Sequence, residues 1–229
     1  QVWQELLNAD RILVVSHIRP DGDAVGSLLG LGLALQEKGK QVQMVLEDGV
    51  PTSLKHLEGS KLVKRKAKEA YDLICVVDCS DLQRAGHVIP PGRLPDINLD
   101  HHATNLNFAR INVVMPEAVA TVELVSDLIE TMGWEFSKPV SSALLTGLIT
   151  DTIGFRTSKI STKSLRLAAS LMEAGADRPL LYQKALVNRS FEAAQLWGTG
   201  LSKLNKDGRI VWTSLTQMDR QQVKYPGRD

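Results

Sequence analysis

The 229-residue sequence has only two cysteines, Cys75 and Cys79. They form no CxxC pair, which disfavours both a thiolate zinc site and a disulfide framework and makes a reducing compartment, the cytoplasm, the expected location. Long apolar runs are also absent. The longest, Ala24 to Leu35, falls well short of the roughly 20 residues that span a bilayer, so no membrane partner is expected. The opening Gln1-Val2-Trp3-Gln4-Glu5 lacks the basic region that starts a secretory leader. Excess charge is missing as well: 27 Lys+Arg against 26 Asp+Glu leaves a net +1. That balance argues against long duplex DNA and for short or small anionic ligands. The one basic concentration, Lys61, Lys64, Arg65, Lys66 and Lys68, reads as a solvated face.

What is present is an alternation of strand and helix patterns. Arg11 to Ser16 is a β-branched apolar strand, Asp23 to Glu37 a helix and Gln41 to Leu46 a second strand. Gly26, Gly30 and Ala34 form a small-residue stripe expected to bring that helix close to a sheet. Tyr71 to Val77 is continuously apolar, as in a parallel strand buried on both faces, and Asp96 to Leu99 is a short strand. Helical periodicity follows over Glu117 to Met132, Val140 to Asp151, Ser161 to Ala174 and Arg178 to Val187, with Ser161 or Thr162 a cap for the third. A strand, Gly208 to Ser214, and the start of a helix, Leu215 to Val223, close the sequence. The expected fold is α/β: a mainly parallel sheet with helices on both faces, then a helical segment and an incomplete second α/β domain.

Four segments carry acidic or histidine side chains where strands or helices end. They are His17-Ile18-Arg19-Pro20-Asp21-Gly22-Asp23, Asp78 after the apolar strand, Asp100-His101-His102, and Asp151 in Gly147-Leu148-Ile149-Thr150-Asp151-Thr152. Each has a bland reading. Asp21 or Asp23 could cap the following helix, Asp78 could be a turn residue, and Asp100-His101-His102 could be a solvated loop. Asp151 could be an ordinary last-turn residue, although an acid there opposes the helix dipole. Together, carboxylates and imidazoles at the carboxyl edge of a sheet are the ligand types that hard and borderline divalent metals take, at the edge where open α/β sheets bind ligands.

In order and spacing, His17-x-x-Pro-Asp21-Gly-Asp23, Val-Val-Asp78, Asp100-His101-His102-x-x-Asn105 and Gly-Leu-Ile-x-Asp151-Thr resemble the motifs of the DHH phosphoesterase superfamily over roughly residues 10 to 190. Thr150 to Arg156 followed by Ser164-Leu165-Arg166 is most similar to its NrnA-like branch. The resemblance implies two divalent metal ions, manganese first among them. One would be held by His17, Asp21 and Asp78, the other by Asp23, Asp78, His101 and Asp151. It further implies that His102 acts as donor or general acid, that Asp100 orients a neighbouring histidine, and that Asn105 and Arg156 contact phosphate or nucleotide.

The implied activity is hydrolysis of phosphate esters in short RNA or in 3′-phosphoadenosine 5′-phosphate, through two-metal activation of water. Alternatives are another hydrolase of the superfamily, acting on linear di-adenylate, pyrophosphate or single strands, and a non-catalytic nucleotide-binding module. A homodimer is compatible with the resemblance. Domain boundaries follow: residues 1–190 form the catalytic domain, and 191–229 a linker helix and the opening of a substrate-binding domain. The Gly-Gly-Gly-His-type motif of that second domain does not occur in this sequence.

Overall fold

A computed structural model describes residues 1–68 and 70–225. The chain divides into two units, the first ending at Leu186 and the second beginning at Val187. In the first unit, α1 (Val2–Asn8) leads into β1 (Arg11–Val15), α2 (Gly22–Glu37), β2 (Gln41–Val45), β3 (Leu73–Val77), β4 (Ile97–Asp100) and β5 (Ile111–Val114). Four helices complete it: α3 (Thr121–Thr131), α4 (Lys138–Asp151), α5 (Thr162–Glu173) and α6 (Arg178–Tyr182), the last running on into a π-helical turn.

The five strands form one parallel sheet in the order β2-β1-β3-β4-β5. Parallel pairing puts the ends of β1, β3 and β4 at one edge, and the strand order reverses direction between β1 and β3, the usual ligand crevice of such sheets. The sheet is flanked by helices, as expected of an α/β fold, but its faces are covered unequally. The larger core joins Ile12, Val14, Cys75 and Val77 to α2, α3 and α4, whereas Leu13, Val15, Ile74 and Val76 meet a thinner layer that includes Ala85, Val88 and Ile89.

α2 is buried from Gly22 to Leu35, so its sequence shows no polar stripe to orient it. The small-residue stripe lies against α4 and not against the sheet. A Cβ on Gly26 would sit 2.7 Å from the Ala143 carbonyl oxygen and 3.0 Å from Gly147 backbone, and one on Gly30 would strike Leu144. Two glycines on one helix thus let two backbones approach, and the approach brings Asp23 near the start of α2 to Asp151 at the end of α4. Gly26→Ala gains up to ~1 kcal/mol of helix propensity, but overpacking against a backbone atom costs about 1–3 kcal/mol or more. The expected result is net destabilisation, read as a lower urea midpoint at unchanged m-value.

Among the described residues, α1, β5 and, in the second unit, β6 (Asn205–Asp207) had no counterpart among the expected strands and helices. The second unit comprises α7 (Phe191–Ser202), a hairpin of β6 with β7 (Ile210–Trp212), and α8 (Gln217–Gln222). It leaves large apolar side chains exposed, among them Phe191, Trp197 and Trp212.

Candidate metal centre

Asp78 and His101 follow β3 and β4 directly, and His17 stands one residue beyond Ser16, which follows β1. Asp21 is the N-cap of α2: its Oδ1 accepts from the amides of Asp23 and Ala24, each at 3.0 Å. The capping reading is therefore correct for Asp21, yet it uses only one oxygen. The other, Oδ2, lies 3.9 Å from His17 Nε2. Asp78 adopts a left-handed φ of 55°, a conformation aspartate tolerates better than most residues, and its side chain is buried.

The two oxygens of Asp78 face different imidazoles. Oδ2 is 3.5 Å from His17 Nε2, and Oδ1 is 3.8 Å from His101 Nε2. His101 Nε2 also lies 3.8 Å from Asp23 Oδ2 and 3.7 Å from Asp151 Oδ2. Two groups of donors result, His17 with Asp21 and Asp78, and His101 with Asp23, Asp78 and Asp151, and Asp78 belongs to both. Ligand atoms about 2.1 Å from a shared ion stand about 3–4 Å from each other, which is the spacing seen.

Tautomer control agrees with a ligand role. Nδ1 of His17 donates to the Ile18 carbonyl at 2.8 Å, and Nδ1 of His101 reaches the Ala118 carbonyl at 3.3 Å. With Nδ1 so engaged, the Nε2 lone pair is left facing the carboxylates, as in metal-binding histidines. His102 differs: its Nδ1 bonds to Asp100 Oδ1 at 2.7 Å. This nitrogen also lies 3.8 Å from Asp78, and Asp78, His101 and His102 form a third group of possible donors, although Nδ1 of His102 is already engaged with Asp100.

Asp23 has a second task that the sequence did not reveal. Helix α3 begins at Thr121 with Ala120 as its N-cap and no side-chain cap of its own. Asp23 supplies the missing acceptor from across the fold: Oδ2 takes the Thr121 amide at 2.6 Å and Oδ1 the Val122 amide at 3.1 Å. Thr121 Oγ1 in turn donates to Asp78 Oδ1 at 2.9 Å. The signal available beforehand was negative, an Ala-Thr helix start whose first amides need a partner from elsewhere.

Asn105, expected at the substrate, is committed to the protein. Its amide nitrogen lies 2.6 Å from Asp100 Oδ2, 2.8 Å from Asn98 Oδ1 and 3.1 Å from the Cys79 carbonyl, and its oxygen accepts from the Asn107 amide. Asn98, fully buried in β4, completes this network. Arg156 is exposed on the turn after α4.

Electrostatics sharpen the case. Every ion-pair partner of Asp21, Asp23, Asp78 and Asp151 among the described residues is a histidine, so no lysine or arginine balances the four carboxylates. Burial pushes Asp23 well up, and the charges of Asp78 and Asp151 push it further. Burial also raises Asp78, but His17, His101 and His102 outweigh it and hold that carboxyl below its usual range. Burial is the largest single influence on His17 and pulls it down, but its bonds to Asp78 and the Ile18 carbonyl, with the charges of Asp78 and Asp21, together outweigh it and leave it raised. Asp151 is pushed up to about 6, chiefly by burial. These shifts arise where acidic charge is gathered with histidines as its only ion-pair partners, and an oxygen-and-imidazole set without thiolate fits Mg²⁺ or Mn²⁺ better than structural zinc.

A pH dependence follows for the metal-free chain. Folded Asp151 holds a proton that the unfolded chain releases near 3.8, so its contribution to stability is full below that value and is lost as pH rises through about 6. The melting temperature in EDTA should drop between about pH 4 and pH 6, and Asp151→Asn should flatten the drop. An unchanged slope in that variant would assign the effect to other groups.

Comparison with known proteins now bears on this geometry. The model of the DHH family, N-terminal domain, matches residues 11–150, from the start of β1 to the residue before Asp151. The chain belongs to the DHH family. Within it, the chain sits with the NrnA-like branch. It is 36% identical over 168 residues to the bifunctional oligoribonuclease and PAP phosphatase NrnA of Thermus thermophilus, covering 72% of this chain and 50% of that one. The cyclic-di-AMP phosphodiesterase PdeA of Listeria monocytogenes is 26% identical, over 80% of this chain and 31% of that one. An exopolyphosphatase-related protein from Bacteroides fragilis has the same fold, with a TM-score of 0.86 at 30% identity, covering 98% of this chain and 70% of that one. The chain thus spans about half the length of its Thermus relative. No described helix is long and apolar enough to cross a membrane.

Proposed function

We propose that this DHH chain carries the catalytic domain of a cytoplasmic phosphoesterase that holds two divalent ions, manganese first among them. Its substrates would be short oligoribonucleotides or 3′-phosphoadenosine 5′-phosphate. The observation that carries the reading is the position of Asp78, whose two oxygens face two separate sets of donors 3.5 and 3.8 Å away. His17, Asp21 and Asp78 would hold one ion; Asp23, Asp78, His101 and Asp151 the other. What such a pair supplies when bound is a water of lowered pKa and charge neutralisation for in-line displacement at phosphorus.

The chain's own residues do the rest. Asp100 fixes the ring of His102 through Nδ1, which leaves Nε2 to donate a proton to the departing oxygen. Asn105 positions Asp100 by bonding to its second oxygen. Arg156, exposed beyond Asp151, would contact the nucleotide. Residues 1–190 form the catalytic domain in this reading and 191–229 the opening of a substrate-binding domain, a view supported by the apolar side chains the latter leave exposed. The substrate class is drawn from the 36% identity to the Thermus oligoribonuclease and PAP phosphatase.

The test has two arms. Equilibrium dialysis of the chain with Mn²⁺ should give two ions per chain. Turnover with Mn²⁺ should then be measured on a five-nucleotide RNA, 3′-phosphoadenosine 5′-phosphate, linear di-adenylate and pyrophosphate, with the first two preferred. Hydrolysis of pyrophosphate alone would overturn the substrate class, and binding of metal without any hydrolysis would leave only a nucleotide-binding module.

A further inference from the structure

One cation next to the acidic cluster has no role in the arrangement so far. Arg84 lies on a 3-10 turn, Leu82–Ala85, six residues after Asp78. Its backbone is held at both ends: the Arg84 amide donates to Asp81 Oδ1 at 3.0 Å, and the Arg84 carbonyl accepts from the Ile18 amide at 2.6 Å. Ile18 directly follows His17, so the turn is fastened to the loop bearing a candidate ligand. The guanidinium is half-buried and donates through Nη1 to Ser80 Oγ at 3.2 Å. Ser80 is itself buried and takes the Leu106 amide on its carbonyl, which ties the turn to the loop after Asp100-His101-His102.

Among the described residues, Arg11, Arg93 and Arg110 pair with carboxylates, and Arg84 does not. A guanidinium has five donors in a planar fork, and four of these are left for something other than Ser80. Ser80 stands two residues after Asp78, yet the fork forms no ion pair with any of the four carboxylates of the cluster. A fixed, half-buried cation with donors to spare, on a turn tied to the loops that follow β1 and β4, fits an incoming tetrahedral oxyanion.

We propose that Arg84, held in place by Ser80, binds the non-bridging oxygens of the substrate's reacting phosphoryl group at the edge of the cluster. The assignment rests on the phosphoester reading and sharpens it: four carboxylates balance two divalent ions, and a phosphate bound there brings negative charge that Arg84 would offset. Arg84 would be a substrate contact and Ser80 its positioning residue.

The experiment uses the whole chain loaded with Mn²⁺ and inorganic phosphate as the probe, titrated by calorimetry, with manganese stoichiometry measured in parallel. Arg84→Ala should weaken phosphate binding by about ten- to a hundredfold, the loss expected for a charge-assisted hydrogen bond, at unchanged manganese stoichiometry. Arg84→Lys, which keeps the charge without the fork, should recover part of it, and free guanidinium ion should restore part of the affinity of Arg84→Ala. Ser80→Ala should fall between wild type and Arg84→Ala. Unchanged phosphate affinity in Arg84→Ala, or equal loss of manganese and phosphate, would overturn the assignment, and melting curves of Arg84→Lys guard against misfolding. The two readings fail separately. If no ester is hydrolysed but Arg84→Ala still loses phosphate, the phosphoesterase proposal falls and the phosphate site stands.

Discussion

Asp78→Ala should remove bound manganese and hydrolysis together. No other side chain contributes oxygens to both donor groups, and the geometry shows why a substitute is unavailable. The left-handed backbone at Asp78 and the amide bond to Leu99 fix where its carboxylate emerges. His17 and His101 stand on either side of it, and Thr121 Oγ1 steadies the oxygen that faces His101. Alanine removes the one carboxylate that faces both imidazoles and deprives each ion of a charged ligand. The loss in metal affinity should exceed the ~10–100-fold typical of residues one step removed from a metal. Asp78→Asn tests the charge at constant shape. It should retain the fold and bind manganese weakly, because a neutral amide supplies one oxygen where two are needed. Dialysis against graded Mn²⁺ with turnover in each sample reads both variants, and an Asp78→Asn chain that keeps two tightly bound ions would break the bridging assignment.

Much of this arrangement was legible in the residues because it depends on strand ends. β1 and β3 are apolar runs that terminate at His17 and Asp78, and once the sheet is parallel their ends must share an edge. Asp151 was legible for a related reason, an acid placed against the dipole at the end of α4. What stayed hidden depends on distant partners. The stripe of Gly26 and Gly30 announces close approach but cannot say to what, and α4 is the answer. β5 is a short, half-buried edge strand of four residues, too brief to display a period. α1 buries one residue, Leu6, and so shows no apolar face. The bonds of Asn105 were hidden for the same reason, since a half-buried amide and an exposed one read alike in a sequence. Only the fold shows its nitrogen spent on Asp100, Asn98 and the Cys79 carbonyl.

His102→Ala should separate chemistry from metal binding. His102 and His101 are adjacent in sequence, yet their rings are held by different anchors. His101 gives Nδ1 to a backbone carbonyl and turns Nε2 toward three carboxylates. His102 gives Nδ1 to the buried carboxylate of Asp100, whose other oxygen is closed by Asn105. An imidazole backed by a carboxylate is a better proton carrier than ligand here, since the nitrogen nearest the cluster is already occupied. Loss of a group that protonates the leaving oxygen costs about 10²–10⁴-fold in rate, so kcat should fall by that range while manganese stoichiometry stays at the wild-type value. Asn105→Ala should show a smaller fall of the same kind, because Asp100 then keeps its charge but loses one of the bonds that aim it. Substrate choice adds a second check. An ester with a good leaving group such as p-nitrophenolate needs no proton, so its hydrolysis should be far less sensitive to His102→Ala than that of a nucleotide. If both substrates slow equally, or if manganese leaves with the imidazole, His102 belongs among the ligands and the proton must come from elsewhere.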